Sequence, residues 1–172
     1  MISLTSVSFT LNLKIRMRLL TVSLFLIAFS SFAQLSGKVV ADADGDTFTL
    51  LTDSKKRIRV RLYGIDCPEK TQDFGVVARK FLADLIFDRQ VFVKQKSMDQ
   101  YGRTIGVVTM NKVNVNEALL HAGLAWHYKL YDRNPEWDVI ESNARKAKKG
   151  LWIHANAVAP WQFRKLKKQE VR

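Results

Sequence analysis

From Arg57 to Leu62 the chain alternates without a break: Arg57, Arg59 and Arg61 fall on one parity, Ile58, Val60 and Leu62 on the other. A period of two with one apolar parity is a half-buried β-strand, because successive side chains leave a pleated backbone on opposite faces. The other face of this strand is wholly cationic. The fold must therefore give it a core on one side and solvent, or an anion, on the other. The flanking sequence reads in the same way. Val39 to Ala41 suggests a strand, Asp44-Gly45 a turn, Thr47 to Leu51 a second strand, and Asp53-Ser54 the next turn.

The period changes after Gly75. Val77, Phe81, Leu82, Leu85 and Ile86 recur at helical spacing, which predicts a helix over 75–88 with one apolar stripe. Val91 to Lys96 and Thr104 to Met110 return to strand character, with a turn at Asp99 to Arg103 between them. Asn114 is an N-cap with Glu117 three residues on, and Gly123 suits the C′ position of that helix. Asn134-Pro135 starts another helix, with Gly150 as its stop. The order β-β-β-α-β-β-α-α predicts an α+β, mainly β chain: a five-stranded, partly open Greek-key barrel of OB type with three α-helices. Trp152, Trp161 and Phe163 read as anchors for the C-terminal segment. The basic run Arg164, Lys165, Lys167 and Lys168 reads as a solvated tail.

Composition narrows the partners. The 172 residues carry a formal net charge of +12, which favours a polyanion. Lys14, Arg16 and Arg18 precede an apolar run from Leu19 to Phe29, and small residues follow at Ser31 and Ala33. That run falls short of the roughly 20 residues a membrane span needs. The expectation is a signal peptide over 1–33 cleaved after Ala33, a secreted or periplasmic product, and a domain over 34–172 with no membrane contact. Removing 1–33 takes three basic residues and no acidic one, so the charge surplus belongs to the domain. Cys67 is the only cysteine, which rules out an internal disulfide. His121, His127 and His154 have no ligand-pair spacing and read as packing or surface residues.

Three stretches carry the chemistry: Asp44-Gly45-Asp46-Thr47, Arg61 through Glu69, and Asp99 to Arg103. Asp46 follows a glycine at a turn, and Asp66 stands just past a strand before Cys67-Pro68. Together they offer hard oxygen ligands, to which the Cys67 backbone carbonyl could add one. Glu69 is placed to accept a proton from a water near such an ion. Arg61 and Arg103 are the candidate phosphate clamps, since a guanidinium forks onto two oxygens at once, with ordinary solvated charge the alternative for Arg61 on its cationic strand face. Tyr101, Tyr128 and Tyr131 can stack on nucleotide bases or simply pack.

Those motifs, with Val115-Asn116-Glu117-Ala118-Leu119, Gly150-Leu151-Trp152 and Pro160-Trp161, make the chain resemble the staphylococcal nuclease-like (thermonuclease) family, in its secreted bacterial branch. The resemblance runs from about Ser36 to Trp152. It implies an OB-type barrel with three helices and calcium-dependent hydrolysis of DNA and RNA that leaves 3′-phosphate ends. By motif it implies Asp46, Asp66 and the Cys67 carbonyl as Ca2+ ligands. It likewise implies Glu69 on the attacking water, and Arg61 and Arg103 on the scissile phosphate. The type enzyme has threonine at the place of Cys67, which a backbone ligand survives. It has lysine at the place of Gln100, and a longer loop between Glu69 and Phe74. The expected partners are DNA and RNA, single strands preferred, with no stable protein partner and a monomeric chain. Two rival readings use the same charge: a non-catalytic nucleic-acid-binding OB module, and an envelope protein that binds acidic polymers without a site.

Overall fold

The computed structural model describes residues 35–170, apart from the side chains of residues 42 and 43. The expected signal segment over 1–33 lies outside the described residues. The elements are β1 (Leu35–Asp44), β2 (Thr47–Leu51), β3 (Arg57–Leu62), β4 (Ile65–Asp66), α1 (Gly75–Ile86), β5 (Gln90–Met98), β6 (Thr104–Met110), β7 (Val113–Asn114), α2 (Val115–His121), β8 (Trp126–His127), α3 (Pro135–Lys146) and α4 (Pro160–Glu170), with a 3₁₀ turn over Gly150–Ile153.

Five strands make a barrel in the order β3-β2-β1-β5-β6. It closes because β6 pairs back onto β3, in parallel, through Val60↔Thr104, Arg61↔Ile105 and Leu62↔Gly106. All other barrel pairings are antiparallel. The mixed α+β barrel expected from the sequence is thus present. Register shifts at Val39/Ala41 and Asp42/Asp44 in β1 and at Gln95/Ser97 in β5 bend those strands around the closure. The alternation in β3 holds: Val60 and Leu62 are buried, while Arg57 and Arg59 are exposed.

Val39, Phe48, Leu50, Val60, Leu62, Val91, Val93 and Val108 fill the barrel, and Leu82, Ile86, Leu119 and Leu120 from α1 and α2 pack against them. The buried face of α1 is Gly75, Ala78, Leu82 and Ile86. Val77, expected on the stripe, is 50% exposed; the smaller Ala78 lets the helix sit closer to the barrel. Asn114 caps α2 as expected, its Oδ1 accepting from the backbone N–H groups of Asn116 and Glu117. Gly123 stands at φ 68° just past that helix. Asn134 caps α3 with Pro135 next. That helix ends at Lys146, short of Gly150, with Lys148 taking the left-handed turn at φ 49°.

The C-terminal segment departs from expectation. Four α-helices, not three, occur among the described residues, the fourth being α4 over the stretch expected to be a solvated tail. Ala159 and Pro160 are buried at its base. Trp161 stacks on Tyr128 at 4.6 Å and 4°, and meets Trp126 edge-on at 5.7 Å. The aromatic anchors were legible; the helix they fix in place was not.

Candidate active site

Asp46 stands in the β1–β2 turn and is 4% exposed. Its Oδ1 accepts from the Thr47 hydroxyl at 3.0 Å and from Arg61 Nη1 at 3.0 Å, and its Oδ2 from the Cys67 N–H at 3.3 Å. Asp66 ends β4, pairs with Trp126 of β8, and is 1% exposed. Arg61 Nη2 donates to Asp66 Oδ1 at 2.8 Å. One guanidinium thus forks across two carboxylates that are remote in sequence. Burial raises the Asp46 carboxyl above its usual 3.8, Arg61 draws it back, and the Asp66 charge pushes it up again, with a net rise. Burial also works against the charge on Arg61, but Asp46 and Asp66 outweigh it and hold the guanidinium more firmly protonated than usual.

The Cys67 thiol turns inward and donates to the Gly45 carbonyl oxygen at 3.2 Å. Burial pushes its pKa well above 9.0, so it is a neutral packing group. Cys67 still lines the cleft.

Glu69 follows on a tight loop. Gln72 Oε1 accepts from the Glu69 N–H at 2.9 Å, and the Glu69 carbonyl accepts from the Gln72 N–H at 2.8 Å. Phe74 ends the loop at φ 66°, a left-handed conformation rare for a bulky residue. Gly75 comes next because any Cβ there would collide with the Glu69 carbonyl oxygen.

Arg103 is positioned by Asp99. The Asp99 Oδ1 accepts the N–H groups of Tyr101 and Arg103, both at 2.9 Å, and its Oδ2 accepts Arg103 Nε at 2.7 Å. This fixes the guanidinium plane through Nε, a donor that a forked contact through both Nη groups does not require. The Arg103 Cζ lies 5.6 Å from the Tyr101 ring centroid. Burial alone would raise the Asp99 carboxyl, but its bonds to Arg103 and Tyr101 prevail and hold it below 3.8.

All nine residues expected from the sequence (Asp46, Arg61, Asp66, Cys67, Glu69, Tyr101, Arg103, Tyr128 and Tyr131) line one cleft of about 740 Å3. Tyr101 and Tyr131 are 71% and 64% exposed. Tyr128 is different: one ring face lies on Trp161, and Tyr131 meets it edge-on at 4.9 Å.

Arg164 of α4 also lines the cleft, which corrects its reading as part of a solvated tail. Its Nη2 donates to Asp66 Oδ2 at 2.7 Å, and its Nη1 to Glu69 Oε1 at 2.6 Å and Asp66 Oδ1 at 3.4 Å. Nothing near position 164 announces this. The only local signal is the preceding Trp161 and Phe163, which locate the helix but not its target.

The donor set suits a hard divalent cation. Buried carboxylate oxygens from Asp46 and Asp66 share the Arg61 guanidinium; such ligands favour calcium or magnesium over soft metals. A second group, His127, Asp138 and Glu141, has its ligand atoms within 4.8 Å of one another. Its members are already partnered. His127 lies between Asp138 at 2.6 Å and Asp132 at 2.9 Å, Lys129 reaches Asp138 at 2.8 Å, and Arg145 reaches Glu141 at 2.7 Å. That network ties β8 to α3, and His127 is the packing residue the sequence suggested.

The closed barrel and its lateral helices define an α+β protein of the OB-barrel class. The family model for the staphylococcal nuclease homologue matches residues 59–154. The chain is 42% identical to Protein ParB of Escherichia coli, over 83% of this chain and 86% of that one. It is 37% identical to an uncharacterized endonuclease of Haemophilus influenzae, over 92% and 89% of the two chains. It is 38% identical to the micrococcal nuclease of Shigella flexneri, over 83% and 88%. The chain belongs to the staphylococcal nuclease homologue family. Its function is that of a hydrolytic nuclease, and nucleic acid is its substrate.

Proposed function

We propose that this nuclease is a calcium-dependent endonuclease of DNA and RNA that prefers single strands, leaves 3′-phosphate ends, and acts as an exported monomer. The observation that carries the reading is the Arg61 fork joining Asp46 to Asp66 inside the cleft that Glu69 and Arg103 share. Asp46, Asp66 and the Cys67 carbonyl would hold the cation, which when bound supplies Lewis-acid stabilisation of phosphate charge.

The protein's own groups do the remainder. Glu69, on its tied loop, takes the proton of the attacking water. Arg61 and Arg103 hold the phosphoryl oxygens, and Asp99 keeps Arg103 in plane so that little reorganisation is needed as charge develops. The exposed rings of Tyr101 and Tyr131 offer stacking faces to unpaired bases, which favours single strands. Tyr128 serves as cleft wall, backed by Trp161. Export rests on the basic, apolar and small-residue succession within 14–33.

The test is a digestion series on denatured DNA, duplex DNA and RNA, each with calcium, magnesium or a chelator. Calcium-dependent fragments, formed faster from denatured DNA and extendable by a polymerase only after phosphatase treatment, are expected. Equal cutting in chelator would overturn the cation assignment. Retention of substrate without fragments would make the chain a binding module.

A further inference from the structure

Asp66 is nearly sealed from solvent, yet both its oxygens are engaged from two directions: by Arg61 from the barrel wall and by Arg164 from α4. Arg164 also takes Glu69 Oε1. A calcium ion would need carboxylate oxygen at roughly 2.3–2.6 Å. The Arg164 nitrogens stand 2.7 and 3.4 Å from the two Asp66 oxygens that would provide it.

We infer that Arg164 is an internal counter-cation of the site, and that the divalent cation loads by displacing its guanidinium from Asp66, so that α4 sets how much cation the enzyme requires. The inference rests on the cation reading given above. Two cations that draw on the same carboxylates are linked: whatever Arg164 gains from Asp66 and Glu69, the incoming ion must overcome.

The two arginines differ in their freedom to yield. Arg61, on β3 itself, is 19% exposed and fixed by two buried acids, Asp46 in the β1–β2 turn and Asp66 in β4. Arg164 is 44% exposed, and every residue beyond it to Glu170 is exposed. The base of α4, by contrast, is pinned. Gln72 Nε2 donates to the Val158 carbonyl at 3.1 Å, which ties the approach to α4 to the Glu69 loop, and Trp161 rests on Tyr128. The helix therefore delivers the arginine accurately while leaving the side chain room to withdraw.

The experiment is calorimetric titration of calcium alone, without substrate, into the exported chain and its Arg164→Gln and Arg164→Lys variants, with Asp66→Asn as the control for the site. Arg164→Gln should bind calcium at least about tenfold more tightly, the size of effect expected for removing charge-assisted hydrogen bonds to a carboxylate. Arg164→Lys should fall between, because a point charge cannot fork. Both variants should keep the wild-type circular dichroism, with a modest fall in melting temperature without cation, because the bonds to Asp66 and Glu69 are lost. Should one melt early, the other still ranks against wild type. An Arg164→Gln affinity within about twofold of wild type, or weaker, overturns the inference and leaves the cation site standing. Calcium binding that Asp66→Asn does not abolish, or no binding by any variant, overturns the cation reading and the inference together.

Discussion

Arg61 illustrates how one side chain can serve chemistry and stability at once. It neutralises two carboxylates that are 4% and 1% exposed, so truncating it strands buried charge as well as removing a phosphate contact. Arg61→Ala should cost about 3–5 kcal/mol in urea unfolding without divalent cation. Arg61→Lys should recover part of that cost while turnover stays low, since lysine restores charge but not the fork. Glu69 and Arg103 should behave otherwise. Glu69 is 38% exposed, and Arg103 is held by a loop rather than the core. Glu69→Gln and Arg103→Ala should therefore leave the melting temperature nearly unchanged while lowering kcat by about 10²- to 10³-fold. Near-wild-type rates from both would mean that the chemistry lies elsewhere.

At the scale of the element, the Asp99–Arg103 turn is a small electrostatic device. One carboxylate gathers two backbone N–H groups and the Arg103 Nε. Its folded pKa lies below 3.8, so the folded state binds fewer protons there than the unfolded chain. The stability it contributes is complete above the unfolded value and is lost as pH falls through the folded one. The stability gap between wild type and Asp99→Asn should be flat from neutral pH to about 5 and should close below about 4, followed by chemical denaturation at each pH. This turn, the Asn114 and Asn134 caps and the β3 alternation were all legible because their causes lie within a few residues. The full lengths of β1 and β5 were not, since register shifts interrupt their pattern. Nor was α4: Pro160–Glu170 has a mostly polar sequence, and what orders it is the ring face that Tyr128 offers to Trp161 and acids almost a hundred residues upstream.

At the scale of the whole molecule, the barrel has a point of close approach at Gly106. Gly106 pairs with Leu62 of β3 on one side and Gln95 of β5 on the other. A Cβ there would lie 2.6 Å from Val93 Cγ1 and 2.9 Å from the Lys94 carbonyl oxygen. Gly106→Val should cost about 3 kcal/mol or more, read as a lowered urea midpoint, and should lower activity in step with the folded fraction. A variant as stable as wild type would show that the strands can part there without harm.

The parallel pairing of β3 with β6 has a consequence for how the site is assembled. Arg61 lies on one border of that seam, and Arg103 immediately precedes the strand on the other. Val60 and Thr104 are far apart along the chain, so the seam is a non-local contact, unlike the β1–β2 and β5–β6 hairpins. The two arginines become neighbours only through the closure that completes the barrel, so whatever parts those two strands dismantles the phosphate cradle with them.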